Sequence, residues 1–251
     1  TTHWSKYPEY LKPFADINYI DGSNMFIWHT FTASPPETGK PGYEYFAGTH
    51  INPRVTWWEM SGDFLTYLGR CQYLLRKGNF VADVCCYVSD KNYVRWGRGK
   101  KWNEKSSLQL APGFTFDLLS TEILEDSLSV KDGILILPGG MNYKVLVVDL
   151  EDATIPEKTI KKIQTLVKNG ATIVLGQSKP VRTPGIENYP DCDNEVLKVA
   201  DELWGKGIIP LSKQTLGAGV VYNATPMAVV MKEKNILPDF EGPFEYHHRQ
   251  S

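Results

Sequence analysis

His29, His50, Asn52, Trp57 and Trp58, with Arg54 among them, fall within residues 24–58, which run from NMFIWHTFT through a Pro/Gly-rich segment to GTHINPRVTWW. Imidazole, amide and guanidinium groups hydrogen-bond hydroxyls, and indole faces cover apolar ring faces, so this assortment suits a carbohydrate. Three carboxylates share the region, Glu37, Glu44 and Glu59, and any of them could complete an acid/base couple. A long segment without periodicity is uncommon in a compact domain and is usually functional or disordered. This one carries too much Trp, Tyr, Phe and His for a solvated linker, and it reads as a binding surface.

Each candidate has a plainer role to weigh. His29 ends the apolar run NMFIW and could bond a sugar hydroxyl from a strand tip or be a satisfied histidine near the core, the strand-end position favouring the first. His50 and Asn52 could orient a substrate or hold the loop's own backbone, as such residues do in turns. Trp57 and Trp58 are adjacent and cannot both face inward in extended chain. One is therefore expected to stack on a sugar ring while the other packs beneath the following helix. Acidic residues favour helix N-termini, so Glu37, Glu44 and Glu59 read first as loop or helix-start residues.

The elements that must position these groups fall into two stretches. In the first, Pro8 and Pro13 open a helix with Tyr10, Leu11, Phe14 and Ile17 as its apolar face, and Asp21-Gly22 ends it. A strand is expected over residues 24–28. Beyond the loop, Ser61 is a candidate N-cap for a helix carrying Phe64, Leu65, Leu68, Cys71 and Leu75 and stopped by Gly78. From Val81 the pattern becomes VADVCCYV as a buried strand, a polar insertion over residues 89–110, and helical spacing over residues 118–128. Then come GILILPGG and YKVLVVDL as strands, a helix in TIPEKTIKKIQTLVKNG, ATIVLG as a strand, a helix over about residues 194–204, and GVVYN as a strand. Apolar strands alternating with amphipathic helices predict an α/β, flavodoxin-like domain with a mostly parallel sheet covered on both faces.

Composition narrows the function classes. The 251 residues, 42% hydrophobic and 22% charged, suit one large globular domain or two small ones. A net charge of -2 gives no global reason to expect nucleic acid or an anionic membrane as partner. No apolar run approaches the ~20 residues that span a bilayer. The insertion KNYVRWGRGKKWNEK alternates basic and aromatic residues, a pattern that can track single strands, but one such loop reads as solvated. Cys71, Cys85, Cys86 and Cys192 have no CxxC spacing and read as buried hydrophobes, with no metal site. Neither GxGxxG nor GxxxxGK[ST] occurs, and TLGAGVV reads as a turn. The turn LGQSKP lacks the nucleophilic Cys an amidotransferase needs. The chain opens TTHWSKYP, without initiator Met or signal pattern, as expected of a fragment or processed product.

KPFADINYIDGSNMFIWHTFTASP, GTHINPRVTWW, LTYLGRCQYLLRKG, VADVCCYV and YPDCDNEVLKVADELWG, read together, resemble glycoside hydrolase family 106, the bacterial α-L-rhamnosidases. The resemblance implies that residues 1–79 close a (β/α)8-type catalytic barrel and residues 80–241 form a flavodoxin-like or glutamine-amidotransferase-like domain. Residues 242–251 would then begin a β-sandwich domain, the chain packing against further barrel and sandwich parts of its parent. It also implies hydrolysis of glycosidic bonds in plant or microbial polysaccharide, by a secreted or periplasmic enzyme using two carboxyl groups. The family's calcium dependence is a further expectation, although no carboxylate-dense calcium loop stands in this sequence. Barrel enzymes gather carboxylates from several strand ends, so this chain by itself is expected to be an incomplete catalyst. The alternatives are a non-catalytic flavodoxin-like module holding a flavin or a sugar, and an architectural domain pair.

Overall fold

The computed structural model describes residues 4–89, 108–207 and 211–251, so the basic and aromatic insertion at residues 91–105 lies outside the described residues. The chain divides into two units, Thr1–Gly78 with Glu245–Arg249 and Ser251, and Asn79–Phe244 with Gln250.

The first unit is built on helices α1 (Pro8–Ile20) and α2 (Gly62–Leu75). Proline begins α1 where its missing N–H costs nothing, and Glu9 faces the positive end of the helix dipole. Ala15 and Tyr19 of α1 pack with Phe64 and Leu68 of α2. The Tyr19 hydroxyl donates to the Leu68 carbonyl at 3.3 Å, and burial pushes that phenol up to about 12. Tyr67 donates to Asp16, which also accepts from Lys12 at 2.6 Å. Ser61 occupies the N-cap of α2, but its hydroxyl makes no capping bond.

The strand expected over residues 24–28 does not form; the segment runs without any ladder. A strand needs a neighbour to pair its backbone, and none lies beside this one among the described residues. The Phe26 N–H is instead taken by Gln72 Oε1 of α2 at 3.1 Å. Strand-like alternation survives in the side chains. Phe26 and Trp28 turn inward onto α1 and α2, whereas Met25, Ile27, His29 and Phe31 face outward, Ile27 with 85% of its surface exposed.

The second unit is a mixed α/β fold around a six-stranded sheet. Its strands are β1 (Val84–Tyr87), β2 (Phe116–Leu119), β6 (Val145–Val148), β7 (Thr172–Leu175), β8 (Ser212–Leu216) and β9 (Gly219–Asn223). The spatial order is β2-β1-β6-β7-β9-β8, all parallel except the hairpin β8/β9. Val84 stands opposite Phe116 on one side and Val145 on the other, which makes β1 a central strand. Three short strands, β3 (Ser129–Lys131), β4 (Ile134–Ile136) and β5 (Asn142–Tyr143), form a separate antiparallel sheet. GILILPGG and YKVLVVDL are thus strands of different sheets.

Period-two alternation delivers neighbouring residues to opposite faces. Cys85, Tyr87, Leu146, Ile173 and Val221 meet helices α3 (Glu157–Lys168) and α4 (Asp191–Trp204) on one side. Val84, Cys86, Val147, Val174 and Tyr222 meet α5 (Met227–Glu233) on the other. All four cysteines are free. The helical spacing read over residues 118–128 is corrected in its first part: FDLL is the parallel strand β2, and residues 121–127 coil, the last five as a π-helical turn. Ladder pairing with β1 outweighs the local spacing there. Gly217, in the left-handed region at φ 62, makes the β8/β9 turn anticipated for TLGAGVV.

Candidate functional site

The loop between α1 and α2 in the first unit is organised by a few specific ties. Arg54 is its clasp: the guanidinium donates to the carbonyls of Ser34 at 3.0 Å, Pro35 at 3.3 Å and Gly39. The Arg54 N–H is in turn held by Asn52 Oδ1 at 2.9 Å, the side-chain-to-backbone turn for which Asn is suited. Gly48 is required where it stands, since a Cβ would lie 1.7 Å from the His29 carbonyl oxygen. That close approach lets Thr49 N–H donate to the same oxygen at 3.1 Å, bringing GTHINP beside His29.

Around this frame the candidates separate. Glu44 Oε2 lies 2.7 Å from His50 Nδ1, with side-chain exposures of 14% and 4%. The contact lacks hydrogen-bond alignment, and both oxygens of Glu44 are buried with no hydrogen-bond partner. Asn52, 2% exposed, spends its Oδ1 on the turn and leaves Nδ2 buried and unpartnered. The Trp4 indole stacks on the His50 ring with centroids 4.4 Å apart. His29 is exposed and leans on Tyr45, centroids 4.9 Å apart, and Tyr45 contacts Phe46 at 4.5 Å.

Trp57 is the packed member of its pair, buried with Ile51 and Val55 and donating Nε1–H to the Lys6 carbonyl at 3.0 Å. Trp58 is half-buried and meets Phe31 edge-on at 6.2 Å. Glu37 and Glu59 sit exposed on short 3-10 turns, Pro36–Thr38 and Trp58–Met60. The structure therefore brings Glu44 onto His50, with Asn52 two residues further along the chain, and leaves Glu37 and Glu59 exposed on their turns. Sequence reading did not single out Trp4 or Tyr45. Both are aromatic residues close in chain to the candidates, but only the folded loop shows which ring each one covers.

In the second unit the turn LGQSKP is consumed by internal bonds. The Gly176 carbonyl accepts from Trp204 Nε1 at 3.0 Å, and a Cβ at Gly176 would stand 2.0 Å from Asp149 Oδ1. Lys179 donates to Asp201 and to the Gly205 carbonyl, each at 2.5 Å. Among the described residues there is no group of three or more His, Cys, Asp or Glu side chains that could hold a metal ion. No helix among them is long and apolar enough to cross a membrane.

Comparison with known proteins places the chain. The sequence pattern of Glyco_hydro_106, alpha-L-rhamnosidase, matches residues 1–251. A putative beta-glucuronidase from Formosa agariphila is 34% identical over 212 residues, covering 82% of this chain and 17% of that protein. The structure of a rhamnosidase from Novosphingobium sp. PP1Y superposes with a TM-score of 0.80 at 22% identity, over 99% of this chain and 23% of that one. The chain thus spans about a fifth of the length of these relatives.

Proposed function

Because the chain belongs to the alpha-L-rhamnosidase family Glyco_hydro_106, we propose that it is part of a bacterial glycoside hydrolase that cleaves α-L-rhamnosidic bonds in plant or microbial polysaccharide. The first unit contributes one wall of the sugar pocket, through His29, His50, Asn52 and Trp58, with Trp57 beneath it. The observation that carries this reading is the loop's withdrawal of a carboxylate, an imidazole and an amide from water beside exposed aromatic rings. Sugar sites join polar groups that fix hydroxyls to aromatic faces that cover the ring.

The reaction needs two carboxyl groups, one protonating the leaving oxygen and one activating water or attacking directly. That pair is assigned to strand ends of the wider (β/α)8-type barrel, which this unit would help to close. The second unit is flavodoxin-like: in chain order its five parallel strands lie 2-1-3-4-5, the order of that fold. Its role is architectural, in keeping with a turn at Gly176 whose polar groups bond within the unit. The parent is expected to be secreted or periplasmic.

Steady-state hydrolysis of an aryl α-L-rhamnoside by the full-length protein tests the reading. His29→Ala and Trp58→Ala are expected to lower kcat/KM by about tenfold or more, with Tm nearly unchanged. Trp57→Ala is expected to cost ~3–5 kcal/mol of stability, as loss of a buried aromatic does. Full activity in the His29 and Trp58 variants would make this loop scaffolding.

A further inference from the structure

Buried polar groups in folded proteins nearly always find hydrogen-bond partners, and those that do not call for a ligand, a water or a function. Glu44 and Asn52 both break that rule. The two Glu44 oxygens accept no hydrogen bond, and Asn52 Nδ2 donates none, although every one of these atoms is buried. His50 links them: its Nδ1 is 2.7 Å from Glu44 Oε2, and it lies two residues before Asn52, which keeps their Cα atoms within about 7 Å. The neighbourhood therefore offers strong acceptors and one amide donor. Trp4, 42% exposed, lies over the imidazole and is held at φ 62, a region a bulky side chain rarely adopts.

We infer that Glu44, His50 and Asn52 form a subsite for a pair of neighbouring sugar hydroxyls, covered by Trp4 until the sugar enters. One hydroxyl donates its proton to the Glu44 carboxylate, and the oxygen next to it accepts from Asn52 Nδ2. No covalent bond changes in this step. Glu44 is thereby a binding group, and proton transfer to the leaving oxygen belongs to another residue. His50 is a positioning residue that holds the Glu44 carboxylate in place. Asn52 keeps its second task, since Oδ1 remains on the Arg54 N–H. The inference rests on the carbohydrate reading above and narrows it to sugars with adjacent free hydroxyls.

The test titrates the 251-residue chain with methyl α-L-rhamnopyranoside and its 2-deoxy and 3-deoxy analogues, following the indole N–H signals of the seven tryptophans by NMR. The parent glycoside is expected to shift the Trp4 signal, and one deoxy analogue is expected to bind about tenfold more weakly, as loss of a charged hydrogen bond requires. Glu44→Gln keeps the shape but replaces an acceptor, and Asn52→Asp keeps the Arg54 turn but removes the donor. Each is expected to weaken binding about tenfold with Tm unchanged or raised. Equal binding by all three sugars, or by both variants, overturns the subsite and leaves the carbohydrate reading standing. Loss of binding together with a fall in Tm shows that the pair is structural, and also overturns it. Silence at every indole removes both the subsite and the carbohydrate reading.

Discussion

His247 shows how a single side chain in the first unit sets a response to pH. Burial holds its imidazole below the ordinary value of 6.5; the Ile20 carbonyl, 3.4 Å from Nδ1, pulls the other way. The unfolded chain therefore takes up a proton first as the solution is acidified. The resulting contribution is fully present above pH 6.5 and is lost as pH falls through 6.5 toward the lower folded value. Thermal melts of the first unit's signals are expected to drop in Tm on going from about pH 7.5 to 5.5, and His247→Gln is expected to flatten that drop. A slope unchanged in the variant assigns the acid sensitivity to other groups. At this scale the loop's density of Trp, His and Asn was legible from residue types alone. The division of labour was not. Which of Trp57 and Trp58 packs, and that Glu44 rather than Glu37 or Glu59 meets a histidine, depends on a loop path with no period to read.

Among the elements, the β8/β9 hairpin packs its backbone closely against the end of α3. A Cβ at Gly219 would stand 2.2 Å from the Val167 carbonyl oxygen and 2.5 Å from that of Ala171, and backbone atoms cannot swing aside as a side chain can. Gly219→Ala is expected to cost about 1–3 kcal/mol in urea unfolding, through displacement of β9 from α3. A neutral result means that the strand end slides freely. The parallel strands were legible because VADVCCYV, YKVLVVDL and ATIVLG are apolar on both faces, as central strands must be. Strand β8 escaped notice because SKQTL, an edge strand, is polar and alternates between half-buried and exposed. The segment over residues 118–128 misled because leucines and isoleucines of a strand followed by a π-turn fall at helical intervals. Residues 24–28 carry the correct alternation for a strand, but alternation supplies no ladder partner.

Across the whole molecule, the two units differ in how their backbone bonds are protected. Strands β6 and β7 are completely buried and paired on both sides, whereas residues 24–28 belong to no ladder. Amide exchange is expected to be slowest in Val145–Val148 and Thr172–Leu175 and fast over residues 24–28. The opposite ranking would place the more stable core in the first unit. The α/β class of the second unit was legible at this scale because alternating elements leave few ways to bury them. The first unit was harder to read, since its helices and loop follow no such alternation. Its extended segment also bears on how the protein behaves in concentrated solution. A stretch outside any ladder that shows Met25, Ile27 and Phe31 along one side offers a greasy face on which strands of separate molecules zip together. His29 interrupts that row between Ile27 and Phe31 as a polar side chain, the kind of break that makes such an edge a poorer template for a second copy.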